Sequence, residues 1–121
     1  MNGYTKLPLA GKERGFKFDI KAMAEILKRL NVGFEGLNGI MTSNPFEAYP
    51  AIVYEGLKRN AERKEETLPT FDEVMDWVES DGLLTENVLN IVKAFGESLE
   101  SMLPQSAKEQ AAPNGKKPAK K

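Results

Sequence analysis

The chain has 121 residues, of which 40% are hydrophobic and 29% are charged, a balance typical of a single small globular domain. Cysteine and histidine are both absent, which excludes disulfide bonds, thiolate nucleophiles, histidine bases and metal sites built on these two residue types. Residues 1–103 carry 12 Lys and Arg against 17 Asp and Glu, whereas residues 104–121 carry 5 Lys against one Glu. An acidic body is therefore followed by a basic tail.

Residues 1–18 are predicted to form a β-hairpin. Phe16, Lys17 and Phe18 alternate apolar and polar side chains, as a half-buried strand does. Gly11 can adopt the positive φ of a tight turn. Pro8 cannot donate a ladder hydrogen bond, so its strand is expected to be an edge strand or to end there. Because an isolated hairpin is only marginally stable, we expect this one to pack against the rest of the chain.

The next segment has the pattern of an amphipathic helix with Asp19 as its N-cap. Glu25 and Arg29 have the spacing of an i,i+4 ion pair, and Asn31 suits a left-handed C-cap. The apolar residues recur at three- and four-residue steps and are predicted to form the buried face: Ile20, Met23, Ala24, Leu27 and Leu30.

A second helix is predicted after Asn44 and Pro45, a capping residue followed by a proline suited to the first helical position. Pro50 lies about one turn further on, so we expect either a kink there or a helix that begins near Tyr49. The almost entirely polar residues 58–66 predict a solvated helix end. The apolar face of this helix is predicted to comprise Phe46, Tyr49, Val53 and Leu57.

Two further helices complete the predicted domain. Thr70 and Glu73 have the spacing of a capping box, and Gly82 follows the end of that helix. Thr85 is a plausible N-cap for the last helix, whose apolar face comprises Val88, Ile91, Val92, Phe95, Leu99 and Met102. The predicted fold is mainly α, with four or so helices and an N-terminal β-hairpin in one domain over residues 1–103. Residues 104–121 lack large apolar side chains and are predicted to be a disordered basic tail.

No combination of residues indicates catalysis, a cofactor or a metal. Asp72, Glu73, Asp76 and Glu79 have the spacing of a solvated helix face. The better candidates for function are apolar residues that can contact a protein partner, either on the glycine-rich segment 33–45 or as an isolated tryptophan. They are Phe34, Leu37, Ile40, Met41 and Trp77. The alternative is that all five pack in the core.

The order of these elements, together with three local phrases, resembles the small tail assembly chaperones of long-tailed bacteriophages and prophages. The first phrase is Gly15-Phe16-Lys17-Phe18 in the second hairpin strand, which the helix from Asp19 follows. The second is Tyr54-Glu55-Gly56-Leu57, and the third is the helix start Leu68-Pro69-Thr70-Phe71-Asp72-Glu73-Val74. The resemblance covers residues 4–103 and includes no catalytic residues.

The resemblance implies a non-enzymatic chaperone that binds the tape-measure protein and helps to recruit tail-tube subunits during tail assembly. It also implies a protein of the host cytoplasm that is absent from the mature virion. Many copies on one client would favour weak self-association, so we expect a weak homo-oligomer. We expect no membrane association, because no apolar run approaches the length of a membrane span.

Two other functions are also compatible with the sequence. A small nucleic-acid-binding regulator would use the four lysines at the end of the tail, although the acidic body argues against nucleic acid as a partner. A structural neck or connector protein would remain in the virion. The sequence therefore predicts a protein that binds other proteins, and the resemblance alone places this binding in phage tail assembly.

Overall fold

The computed structural model describes residues 3–103, and the predicted tail at residues 104–121 lies outside the described residues. A hairpin precedes five α-helices, which confirms the mainly α fold with an N-terminal hairpin. The elements in chain order are β1 (Tyr4–Leu9), β2 (Lys12–Lys17), α1 (Ile20–Leu30), a 3-10 helix (Phe34–Gly36), α2 (Leu37–Ser43), α3 (Pro45–Lys64), α4 (Phe71–Asp81) and α5 (Glu86–Ser101).

The two strands pair antiparallel around a two-residue turn at Ala10 and Gly11. Both turn residues have positive φ (53° and 85°), the geometry whose twist matches that of the flanking strands. Pro8 lies opposite Glu13 in this two-stranded sheet, where each strand is an edge, so its missing N–H is tolerated. The predicted hairpin is therefore confirmed.

Helix α1 begins and ends as predicted, but its buried face is rotated. Asp19 Oδ1 accepts a hydrogen bond from the Ala22 N–H at 3.0 Å, and Asn31 forms the left-handed C-cap. Ile20 and Ala24, which were predicted to be buried, are exposed, and Ala22 and Ile26 are buried in their place. Met23 and Leu30 are buried and Leu27 is half-buried, so the rotation is a partial one that keeps these three residues on the core side.

The predicted i,i+4 ion pair between Glu25 and Arg29 is wrong. The Arg29 guanidinium instead contacts Glu55 of α3, with Nε 3.0 Å from Oε2. Glu25 lies 3.9 Å from the Lys28 ammonium. A nearby buried carboxylate is a stronger partner for arginine than an exposed one on the same helix, because water screens the exposed pair.

Helix α3 runs without interruption from Pro45, so the alternative of a start near Tyr49 is wrong, and Pro50 lies inside the helix. The N-cap is Asn44, as predicted, but its side chain makes no capping bond. Its Nδ2 donates instead to Glu47 Oε1 at 3.2 Å. Pro50 has no N–H, so α3 loses one backbone hydrogen bond there. The other backbone hydrogen bonds of the helix and its packing against neighbouring elements outweigh this loss.

The polar segment 58–66 was predicted to be solvated, and for its first half this is wrong. Asn60 and Ala61 are buried, and Arg59 is ion-paired with Asp19 at 2.9 Å. The reason is the central place of α3, which packs against β2, α1, α2, α4 and α5. A helix surrounded in this way buries several faces, so a single apolar stripe does not describe it.

Helices α4 and α5 begin as predicted, but Met102, predicted on the apolar face of α5, is exposed at its C-cap. Thr70 and Glu73 form the complete capping box, with bonds of 3.0 and 2.9 Å, and Gly82 with φ of 101° ends α4. Thr85 precedes α5, but its hydroxyl donates to the Gly82 carbonyl at 2.7 Å and does not cap the helix. Both helix starts are thus where the sequence placed them.

One continuous cluster of buried side chains joins the hairpin to every helix. The Phe18 ring is central to it: the ring lies edge-on to Phe95 of α5, with 5.7 Å between centroids, and it also contacts Gly56 of α3. Within residues 3–103, every helix is too short or too polar to cross a lipid bilayer.

Candidate functional site

A surface groove of about 480 Å³ runs between the first half of α3 and the start of α4. Its walls are mostly apolar, and α1 contributes one cation. The residues that form it are Arg29, Asn44, Phe46, Glu47, Pro50, Ala51, Phe71 and Met75. This groove is the strongest candidate for a binding site in the described part of the chain, because it combines exposed apolar area with a charged group.

Within residues 3–103, Phe46 is the groove residue that belongs to the exposed large hydrophobic side chains. Its side chain is 73% exposed although it was predicted to lie on the buried face of α3. Pro45 and Asn44 fix the start of the helix, so Phe46 occupies the first turn, and the buried positions of this stretch fall to Ala48, Ala51 and Ile52. A large aromatic ring exposed beside a groove is typical of a partner contact.

Arg29 lies at the wall of the groove in a fixed orientation. Its guanidinium carbon is 4.7 Å from the Tyr54 ring centroid and 4.6 Å from that of Phe71. The two rings are themselves in edge contact, at 5.3 Å. Its Nε–H donates to Glu55 Oε2 at 3.0 Å. Two aromatic rings and one carboxylate therefore hold the guanidinium in place before any partner arrives.

The carboxylate that anchors Arg29 is itself buried. Glu55 is only 3% exposed, and it is one of the few buried charged residues in residues 3–103. Its Oε1 also lies 3.9 Å from the Lys58 ammonium. Two cations thus surround one carboxylate, which leaves a local excess of one positive charge beside the groove.

The candidate residues of the sequence analysis lie elsewhere. Phe34 on the 3-10 helix is exposed, Leu37 on α2 is buried in the core, and Ile40 and Met41 are half-buried against it. Helix α2 packs on α3 and ends at Ser43, next to the groove residue Asn44. This segment adjoins the groove, but none of its four candidates lines it.

Trp77 lies apart from those four, on the side of α4 that faces the hairpin. The Arg14 guanidinium of β2 stacks over its ring, with 3.8 Å to the ring centroid. Arg14 Nε also donates to the Leu9 carbonyl at 2.8 Å, so the cation is tied to the hairpin. Trp77 is half-buried beneath Arg14, a position that joins α4 to the hairpin.

Asp81 strengthens the same junction. The hydrogen bond from Asn87 Nδ2 at 2.8 Å and then that from the Ala10 N–H at 3.0 Å hold the pKa of the Asp81 carboxyl below its usual value. Partial burial opposes this shift, and the positive charge of Arg14 adds to it. The carboxylate therefore joins the hairpin turn, the end of α4 and the start of α5.

A second groove, of about 420 Å³, lies beside Asp19 and Arg59 and contains the exposed side chains of Ile20 and Met102. Although burial by itself raises the pKa of Asp19, the bond from the Ala22 N–H and the contacts with Arg59 lower it below its usual value. Asp19 and Arg59 neutralise each other across this groove. The described lining of this groove contains no aromatic side chain, whereas the groove between α3 and α4 has Phe46 and Phe71.

The four carboxylates Asp72, Glu73, Asp76 and Glu79 are exposed on α4, as predicted. In the described range 3–103, Asp and Glu residues nowhere gather in threes as a metal site would need. Comparison of the chain with protein-family models, with curated proteins and with solved structures finds no match. No known protein therefore indicates the function of this chain, and the geometry of residues 3–103 is the structural basis for a proposal.

The sequence did not bring the residues of the groove together. Its pattern predicted an ion pair with Glu25 for Arg29 and a buried position for Phe46. One signal pointed to the exposure of Phe46: the small residues Ala48 and Ala51 follow it in the helix. In a central helix, small residues face the closest neighbour, and these two are buried while Phe46 faces the solvent.

Proposed function

We propose that this protein binds an amphipathic helix of a protein partner in the groove between α3 and α4, and that it does so as a phage tail assembly chaperone. The observation that carries the binding proposal is the exposure of Phe46 at the mouth of a groove with apolar walls. The chaperone context comes from the resemblance of the sequence phrases. The partners that it implies are the tape-measure protein and the tail-tube protein.

The shape of the groove favours a helical occupant. Phe46 is exposed in the first turn of α3, and the half-buried Phe71 and Met75 lie one turn apart on α4. The α4 pair spans about 6 Å along its helix, the spacing at which a residue of a third helix inserts between two side chains. An amphipathic helix in an apolar groove is a recurring mode of peptide recognition.

The charge of the body also fits a chaperone for a long helical client. Residues 1–103 carry a net charge of −5, from 12 Lys and Arg against 17 Asp and Glu. Helix α4 alone exposes four carboxylates on the side away from the core. Copies bound along one client would repel neighbouring complexes and keep the client dispersed.

Co-expression with a tape-measure protein and a tail-tube protein from the same phage genome tests the proposal. We expect a soluble complex with at least the tape-measure protein that survives size-exclusion chromatography. The tape-measure protein expressed alone should be largely insoluble. Recovery of both phage proteins without this chain in the complex contradicts the proposal.

Analysis of purified phage particles separates the chaperone from the neck or connector alternative. A chaperone leaves the client before the tail is complete, so quantitative mass spectrometry of particles should find it far below one copy per virion. A fixed number of copies in each particle would identify it as a structural component of the virion.

A further inference from the structure

We infer that the groove between α3 and α4 selects a helix that carries a carboxylate next to its apolar face, and that Arg29 binds this carboxylate. The inference rests on the proposed function only for the identity of the client. The chemistry of the site stands on the geometry around Arg29.

Arg29 has hydrogen-bonding capacity that the fold leaves unused. A guanidinium carries five N–H donors. Within residues 3–103, the Nε–H bond to Glu55 is the hydrogen bond found for Arg29. Its side chain is 37% exposed and forms part of the groove wall, so its terminal amino groups are accessible to a ligand. A carboxylate is the acceptor that best matches two adjacent guanidinium N–H groups.

The charges around the groove favour an anionic ligand at this end. Glu55 is shared between Arg29 and Lys58, and this group of three retains one net positive charge. The cost of orienting the guanidinium is already met by Glu55 and by the Tyr54 and Phe71 rings. A partner carboxylate therefore gains a charge-assisted bond without having to order the arginine.

The groove residue Glu47 sets the direction of the bound helix. It follows Phe46 in the first turn of α3, and its carboxylate accepts a hydrogen bond from Asn44 Nδ2. An acidic residue of the client would be repelled there. The helix that fits best carries its acidic residue over Arg29 and an uncharged or basic residue over Glu47, with an apolar side chain against Phe46 and Met75.

Two designed helical peptides test this inference without any phage protein. Each has one face of leucines, and they differ only in a glutamate or a glutamine that borders this face. Titration of the isotope-labelled full chain, followed by NMR, should shift the signals of Phe46, Ala51, Phe71 and Met75. The glutamate peptide should bind about five- to tenfold more tightly than the glutamine peptide.

A paired variant assigns the difference to Arg29. Replacement of Arg29 alone would leave Glu55 buried without its main partner, so the double variant Arg29→Met with Glu55→Gln is used, after a thermal melt shows that it folds. In this variant the two peptides should bind within about twofold of each other. In wild type the difference should shrink in about 1 M NaCl, because salt screens a partly exposed pair.

Three outcomes overturn the inference: equal binding of the two peptides to wild type, a preference that persists in the double variant, or signal shifts confined to residues outside the groove. Light scattering gives a further test. A wild-type chain that is dimeric, together with a monomeric Phe46→Ser variant, would show that a second copy occupies the groove and would also overturn the inference. Peptide selectivity together with failure to bind any tape-measure protein would leave this inference standing and refute the proposed function.

Discussion

Gly56 of α3 lies directly against the ring of Phe18, close enough that a Cβ atom on Gly56 would be 2.6 Å from Phe18 Cε1 and 2.7 Å from Cζ. Phe18 is fully buried, and its ring also packs on Phe95. The contact joins the two phrases Gly15–Phe18 and Tyr54–Leu57, which are about forty residues apart in sequence. The residue at position 56 thus sets how closely the hairpin approaches α3.

The variant Gly56→Ala should destabilise the protein. Alanine is the better helix former by about 0.5–1 kcal/mol, but a methyl group here must displace a buried ring, and such overpacking costs about 1–3 kcal/mol. We expect a net loss of about 1–2 kcal/mol in the free energy of unfolding, measured by urea denaturation.

Gly96→Ala is the matched control for that variant. Gly96 also lies inside a helix, α5, but a Cβ there meets no atom within 4 Å. Its substitution should leave stability unchanged or raise it by up to about 1 kcal/mol. Equal effects of the two substitutions would show that the contact between Gly56 and Phe18 is not close.

Arg29→Ala should be much more costly than loss of a surface cation. The substitution leaves Glu55, which is almost fully buried, with Lys58 at 3.9 Å as its remaining ion-pair partner. We expect a loss of about 2–3 kcal/mol, somewhat less than for a fully buried pair because Arg29 is partly exposed. Lys28→Ala removes only an exposed partner of Glu25 and should change stability by less than about 0.5 kcal/mol.

The hydrogen bonds of Asp81 make part of the stability depend on pH. Its pKa is lowered in the folded state, first by Asn87 and then by Ala10, so the carboxylate favours folding above the unfolded pKa of about 3.9. That contribution disappears as the pH falls through the lower folded-state pKa. Asp81→Asn should cost about 1 kcal/mol at pH 7, and this cost should shrink as the pH falls below about 3.9. A cost that is independent of pH would contradict the assignment.

Trp77 is the one tryptophan of the chain, so its fluorescence reports on the contact between α4 and the hairpin. Arg14 covers its ring at 3.8 Å. Arg14→Ala should expose the indole and move its emission to longer wavelength, with a loss of stability of about 0.5–1 kcal/mol. Lys12→Ala, at an exposed position on the same strand, should leave the emission unchanged.

The features that were correctly predicted depend on residues close in sequence. The N-cap at Asp19, the left-handed Asn31 and the capping box of Thr70 and Glu73 are each decided within about four residues. The turn at Gly11 has the same local origin. Such signals fix where each element begins and ends.

The features that were missed depend on contacts between distant elements. Arg29 turns from Glu25 to Glu55, which is 26 positions away, because a buried carboxylate of another helix holds it more strongly. Asn60 is buried because Gly15 allows β2 to approach α3 closely. A Cβ atom on Gly15 would lie 2.5 Å from the side-chain amide nitrogen of Asn60. The groove followed from the same packing, so no periodic pattern in α3 alone could reveal it.

The recovery of soluble tape-measure protein with wild type and with the variant Phe46→Ser tests the central claim most directly. Phe46 is largely exposed, so this substitution should change stability by less than about 0.5 kcal/mol. Leu84→Ser is the matched control, because Leu84 is also an exposed large apolar residue but lies outside the groove. We expect wild type and Leu84→Ser to retain the client and Phe46→Ser to bind it at least about tenfold more weakly. Undiminished binding by a folded Phe46→Ser variant would show that the client does not occupy the groove between α3 and α4.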